Sequence, residues 1–427
     1  MRTSLLLFLV AVLTGCSAQQ LPLMPTPLYY QISKVGPLAD VPLEQRWNFR
    51  KVYYVTNRQR QNDFQRLGYG NAVADTIATG LAMVSFGGPN VSWEDLEAVS
   101  ITADRPEVIP LSIAGLFEAG NYSLGATGDI VESQGSVNWL VRDLDTSVMT
   151  ARDQDILVYV HGAKTSFYDS TVFAAQLDHF LGRDMTSISF SWPTHDNIYS
   201  YFTGTDVSRA YTSAPVLNSL ITALANNTQA RRIHILAWSA GGRVVSEALR
   251  LLRESEADLT SEELRQKYRL GTVYFAAADV PLDDFLVALP GINDMVNSVI
   301  VTASEEDGAL RSAETFMRGD TRIGLVSDQA LTEEQQAAVL AADRLQYIDL
   351  SAGADVRGFN IAGHNYWFNH PWASTDALLS IRTDLEPQAR GLEPTASPQL
   401  WIMPADYPQR VEGLVNEVPV ESFRHIR

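Results

Sequence analysis

Hydrophobic and polar positions follow no steady rule through the first third of the chain, then fall into a regular repeat from Ile156. Short unbroken apolar runs, Ile156–Val160, Thr186–Phe190, Ile233–Trp238, 272–278, 298–303 and 345–350, alternate with stretches whose apolar residues recur at helical spacing, near Thr171–Leu181 and Ser208–Leu224. Runs that are apolar on consecutive positions, rich in β-branched residues and separated by amphipathic helices, predict a parallel sheet covered on both faces. Two earlier runs, Lys51–Thr56 and Leu81–Phe86, are further strand candidates; residues 90–155 mix Gly, Asp and Ser with weak apolar runs and give no clear element. In such a sheet the crossovers are right-handed and ligands gather at the carboxyl ends of the strands.

The pattern divides the chain into a signal peptide over 1–15, a proline-rich tether over 16–45, one α/β domain over 46–384, and a proline-rich tail over 385–427. Within the domain, charge-dense helical insertions are expected near 254–270 and 329–345, the second with Thr332 as its N-cap. The opening residues have a single early cation, Arg2, and an apolar core, Leu5–Leu13, too short to span a bilayer. Leu13-Thr14-Gly15-Cys16 looks like a bacterial lipobox, which implies cleavage before Cys16 and a lipid-modified N-terminus. Cys16 is the only cysteine among 427 residues, as suits export with the one thiol used for acylation. Several acyl chains on one residue anchor far more firmly than one. Ser17 after the cysteine points to the outer membrane, facing the periplasm.

Composition narrows the partners. With 32 Lys and Arg against 50 Asp and Glu the net charge is −18, which argues against nucleic acid and against anionic lipid as an electrostatic partner.

The chemistry centres on Arg231–Arg253. An apolar strand ends at Trp238, small residues follow at Ser239, Ala240, Gly241 and Gly242, and a helical pattern resumes at Val244. A strand that reverses into a helix across small residues pushes the residue at its tip outward, as in a nucleophile elbow; here the motif reads Ala237-Trp238-Ser239-Ala240-Gly241, with Ala for the first Gly. Ser239 is the candidate nucleophile, and the helix behind it aims N–H groups at any anion that forms there. A serine needs a base, and the base an orienting acid. His161, at the end of a buried strand in an His-Gly loop, reads as loop-shaping, with Ala163 and Ala240 as the oxyanion N–H donors. His179 and His234 read as packing or surface residues, and His195 lies near the mouth but precedes the serine. His364, in a Gly-containing loop after the last strand, is the candidate base, with His370 as fallback at the entry to the final helix. For the acid, Asp307 follows the second strand after the elbow and Asp279 the first. Asp307 is taken as the acid, with Asp279 as the alternative or else a cap on the helix entered at Pro281. Glu305 and Glu306 come next. No cofactor is expected, and no ligand spacing for a metal is evident.

The motifs YYVTNR (53–58), VYVHGAKTSF (158–167), SFSWP (189–193), TVYFAAADVPLDDF (272–285) and ASEEDGALRSAETF (303–316), followed by Thr321-Arg322-Ile323-Gly324, resemble an esterase- or lipase-like bacterial branch of the α/β hydrolases known only as a domain of unknown function. The likeness runs from Lys51 to Arg382. It implies an α/β-hydrolase fold and hydrolysis of an ester or related acyl bond. Two positions depart from that branch, Trp238 where it has His and Ala163 where it has a bulkier residue. The sequence thus predicts a membrane-anchored serine hydrolase acting on a small-molecule or lipid-like acyl ester. The alternatives are an acyltransferase with the same triad, or a catalytically silent envelope protein on this scaffold.

Overall fold

The structure is a computed structural model that describes residues 20–61, 68–88, 90–105, 107–125, 130–135, 137–305, 307, 310–311, 321–325, 331–351 and 366–418. Its strands are β1 (Leu21–Pro22), β2 (Phe49–Arg60), β3 (Tyr69–Phe86), β4 (Pro110–Leu124), β5 (Ile130–Gly135), β6 (Ile156–Val160), β7 (Thr186–Phe190), β8 (Ile233–Trp238), β9 (Leu270–Ala276), β10 (Val296–Ala303), β11 (Leu345–Asp349), β12 (Glu393–Pro394) and β13 (Leu400–Ile402). All join one mixed sheet in the order β1-β4-β3-β2-β7-β6-β8-β9-β10-β11-β13-β12, with β5 on β4. From β2 through β7 to β11, and on to β13, neighbours run parallel. The β2–β5 block is antiparallel, and residues 90–155, which gave no clear pattern, supply part of it. Antiparallel strands with one wet face alternate rather than run apolar, so their signal is fainter.

Helices α1 (Leu28–Ser33), α2 (Trp93–Val99) and α4 (Phe167–Phe180) cover one face of the sheet. Helices α3 (Val137–Thr150), α6 (Thr205–Asn227), α7 (Gly241–Ser255) and α9 (Leu282–Met295) cover the other. The double cover explains the unbroken apolar runs: in β6, Ile156, Val158 and Val160 enter one core while Leu157 and Tyr159 enter the opposite one. A short α5 (Tyr199–Phe202) precedes α6, and α8 (Ser261–Tyr268) follows α7. The expected insertion at 254–270 is only partly a solvated excursion, because α8 buries Leu264 and Tyr268 beneath its charges.

One expectation at the ends needs correction. Residues 21–45 are no tether. Tyr29 and Tyr30 of α1 are buried, as are Leu23, Met24 and Leu38, and the prolines start structure rather than loosen it: Pro27 opens α1 and Pro42 a 3₁₀ turn. In the tail, β12 and β13 extend the sheet and the helix Tyr407–Glu417 packs on α1. Cys16 and the signal peptide lie outside the described residues. No helix among the described residues is long and apolar enough to cross a membrane.

Candidate active site

In the parallel half, Val160 of β6 is level with Phe190 of β7 and with Ala237 of β8, so the loops that follow all emerge at one edge. Ser239 stands there with a left-handed backbone, φ 53°, an uncommon state for a residue with a side chain. The turn is pinned on both sides. Ser239 N–H donates to the Ala276 carbonyl at 3.0 Å, and the Ser239 carbonyl accepts the N–H groups of Gly242 (2.9 Å) and Asp279 (3.1 Å). Small neighbours are required by contact. A Cβ on Gly241 would lie 2.5 Å from the Val160 carbonyl oxygen, and one on Gly162 would lie 2.8 Å from Cβ of Ser239. The same approach brings the His161–Ala163 loop against the Ser239–Gly241 turn. Ala240 is fully buried at the start of α7.

His161 is buried with both ring nitrogens engaged. Nδ1 donates to the Gly162 carbonyl at 2.7 Å, and Nε2 accepts from Arg58 at 3.3 Å. Burial and the Arg58 charge hold the imidazole well below its ordinary pKa, so it stays neutral. Its ring stacks on Trp192, whose indole N–H donates to the His161 carbonyl at 2.7 Å. Arg58, which sequence reasoning did not single out, staples this loop from β2. Its Nε reaches Ser191 Oγ at 3.0 Å and its Nη2 the Thr165 carbonyl at 2.6 Å, and burial pushes its pKa down to about 9. The only signal was its place in the YYVTNR motif.

The two carboxylates differ in their surroundings. Asp279, buried after β9, meets Arg322 Nε at 2.7 Å and Arg243 Nη2 at 3.7 Å, and accepts the Tyr201 hydroxyl. It is no helix cap: α9 begins after Pro281 with no side-chain cap bond. Burial and the Asp279 charge push the Tyr201 hydroxyl well above its ordinary pKa, which keeps it a donor. Asp307, buried after β10, accepts the Leu310 N–H at 3.0 Å through Oδ1. Glu305 is exposed, and Glu306 is outside the described residues.

His364 also lies outside the described residues, but both flanks of its segment are placed. Ser351 Oγ, just beyond β11, accepts the Glu305 N–H at 3.0 Å. On the far side, in the helix Tyr366–Asn369, Phe368 packs edge-on to Trp238 with centroids 5.9 Å apart, directly before the candidate nucleophile. His370, the fallback base, instead caps the helix Pro371–Arg382, its Nδ1 accepting the Trp372 N–H at 3.2 Å. His179 and His234 are interior residues. His179 meets Ser100 Oγ at 2.8 Å, and Nδ1 of His234 accepts the Thr272 N–H at 3.0 Å.

One arrangement was not foreseen. His195, after β7 on the same edge, holds Nδ1 2.7 Å from the buried Asp206 of α6, which also accepts the His195 backbone N–H. This makes an imidazole–carboxylate pair on the Ser239 edge, apart from the interior His234–Asp155 pair at 3.3 Å.

A strand–elbow–helix between parallel strands, with loops from their carboxyl ends around it, is an α/β-hydrolase arrangement. The family model described as "Alpha/beta hydrolase of unknown function (DUF900)" matches residues 138–380, more than half of the chain. The chain belongs to the DUF900 family. The DUF900 match takes in the parallel half from α3 through most of the helix Pro371–Arg382, and leaves the antiparallel β2–β5 block outside. No curated protein and no solved structure matches the chain.

Proposed function

We propose that this DUF900 protein is a lipid-anchored serine hydrolase that cleaves a carboxylic ester or related acyl bond. Ser239 Oγ attacks the acyl carbonyl while His364 takes its proton; His364 then returns that proton to the departing alkoxide, and water releases the acyl group by the same steps in reverse. Asp307 orients His364, and the N–H groups of Ala163 and Ala240 hold the oxyanion. The observation that carries the reading is the placement of both flanks of the His364 segment, one beside Glu305 in the Asp307 loop and the other on Trp238 beside Ser239. Acylation at Cys16 would hold the protein on the outer membrane, facing the periplasm.

A fluorophosphonate probe tests the nucleophile. The expected outcome is labelling of the native chain, none in Ser239→Ala, and loss of ester turnover by several orders of magnitude with the fold retained. Labelling that survives the substitution would refute Ser239. For the anchor, Cys16→Ser should move the protein out of the processed membrane fraction.

A further inference from the structure

Exposed apolar surface is unevenly spread over the molecule. Among the described residues, nine large hydrophobic side chains stand in solvent between Leu43 and Met149, against five in the rest of the chain. Four of the nine share the side of the antiparallel block that α3 covers. Tyr53, Leu81 and Phe117 form one cross-strand row through β2, β3 and β4, and α3 lies over it, its Asp143 accepting the Tyr53 hydroxyl at 2.5 Å. Phe117 meets Trp139 of α3 edge-on with centroids 5.7 Å apart, yet the two residues remain 47% and 41% exposed. Met149, about 15 Å further along α3 at about 1.5 Å per residue, is also exposed. So is Phe49, which the alternation of β2 places on the same face as Lys51 and Tyr53. Apolar surface gathered in this way marks an interaction site.

Two observations name what covers this face. The first is where the chain enters the fold. β1 pairs with β4 on the side away from β3, Leu21 opposite Leu111, so Gln20 stands beside the strand that carries Phe117. Under the acylation proposed at Cys16, the leaflet is then four residues away. The second is charge. Arg142 is exposed on α3, but Lys51 is paired with Asp143 at 3.0 Å and the chain as a whole carries −18. A single unpaired cation is no basic cluster for anionic head groups. Aromatic rings on a face without net charge suit the head-group boundary of a zwitterionic bilayer.

We infer that Phe49, Phe117, Trp139 and Met149 seat the protein on a zwitterionic phospholipid leaflet. This rests on the acylation reading of Cys16. The test uses the full acylated chain on vesicles of dioleoylphosphatidylcholine. With the Cys16 thiol acylated, an introduced cysteine is the one site for an NBD fluorophore. Phe117→Cys and Phe49→Cys place it at two ends of the face. Gln409→Cys places it on the helix Tyr407–Glu417, which packs on the opposite side of the sheet. Emission at 117 and 49 is expected to shift to the blue and to be quenched by lipids brominated on their acyl chains, with neither change at 409. No quenching at 117 and 49, or equal quenching at all three sites, would overturn the inference. Quenching that appears only when phosphatidylglycerol is added, and is lost in high salt, would make the partner an anionic surface and overturn it too. Mass spectrometry reads the acyl group on Cys16 independently. If that group is missing, the Cys16→Ser chain takes the same labels: quenching at 117 and not at 409 upholds the face without the anchor, and no quenching refutes it.

Discussion

Asp279 and Asp307 follow neighbouring parallel strands, both are buried, and both emerge at the edge that carries Ser239. Position and burial therefore do not tell them apart. Their partners do. Asp279 has one oxygen at Arg322 and the other at Tyr201, with Arg243 behind, so its charge is committed to a buried ionic knot. Asp307 turns Oδ1 to the Leu310 N–H at the start of the loop that follows β10. An orienting acid must present charge to an imidazole. A carboxylate already matched to two guanidinium groups is better suited to holding a fold together.

The largest effect that separates the two is on turnover. Asp307→Asn keeps size and reach but removes the charge that favours imidazolium, and is expected to lower kcat about ten-thousandfold, as in serine proteases whose triad acid is so replaced. Steady-state assays, with urea unfolding as the fold control, would measure it.

Asp279→Asn should show the opposite profile. Breaking a buried pair from one side leaves uncompensated cations, at a cost of about 3–5 kcal/mol, so urea unfolding should shift strongly while the surviving folded enzyme keeps most of its kcat. A stable Asp279→Asn protein with a collapsed rate would invert the assignment.

The smallest effect is expected at the His195–Asp206 pair. His195→Ala should leave turnover within a factor of a few, since the proposed base is His364, and should cost about 1 kcal/mol, because Asp206 loses the imidazole but keeps the backbone N–H of residue 195 and Arg209. A rate loss as large as that of Asp307→Asn would make Asp206–His195 the working pair.

How much of this could be read from residues alone follows from range. The parallel half was legible because double burial writes itself as apolar runs, and the elbow because the close approaches at Gly162 and Gly241 forbid side chains. The ionic knot was not. Tyr201, Arg243, Asp279 and Arg322 span more than a hundred residues and meet only through topology, so Asp279 read as a helix cap. Arg58 was hidden for the same reason, reaching the His161 loop across β7 from β2. The antiparallel block was faint because its strands have an exposed face, and residues 21–45 were mistaken for linker because proline was read as looseness.

That last correction changes how far the protein could stray from an anchor. A free run from 16 to 45 could extend about 100 Å, whereas the stretch from Cys16 to Gln20, beyond which the chain is folded, reaches at most about 14 Å. α1 is also clamped from behind, with the Tyr29 N–H on Thr375 Oγ1 and its hydroxyl on the Val418 carbonyl. Under the proposed acylation the catalytic body would be moored against the bilayer rather than floating above it. Its search for substrate would then be a diffusion in two dimensions, rate-limited by what is dissolved in or leaving the leaflet beneath it.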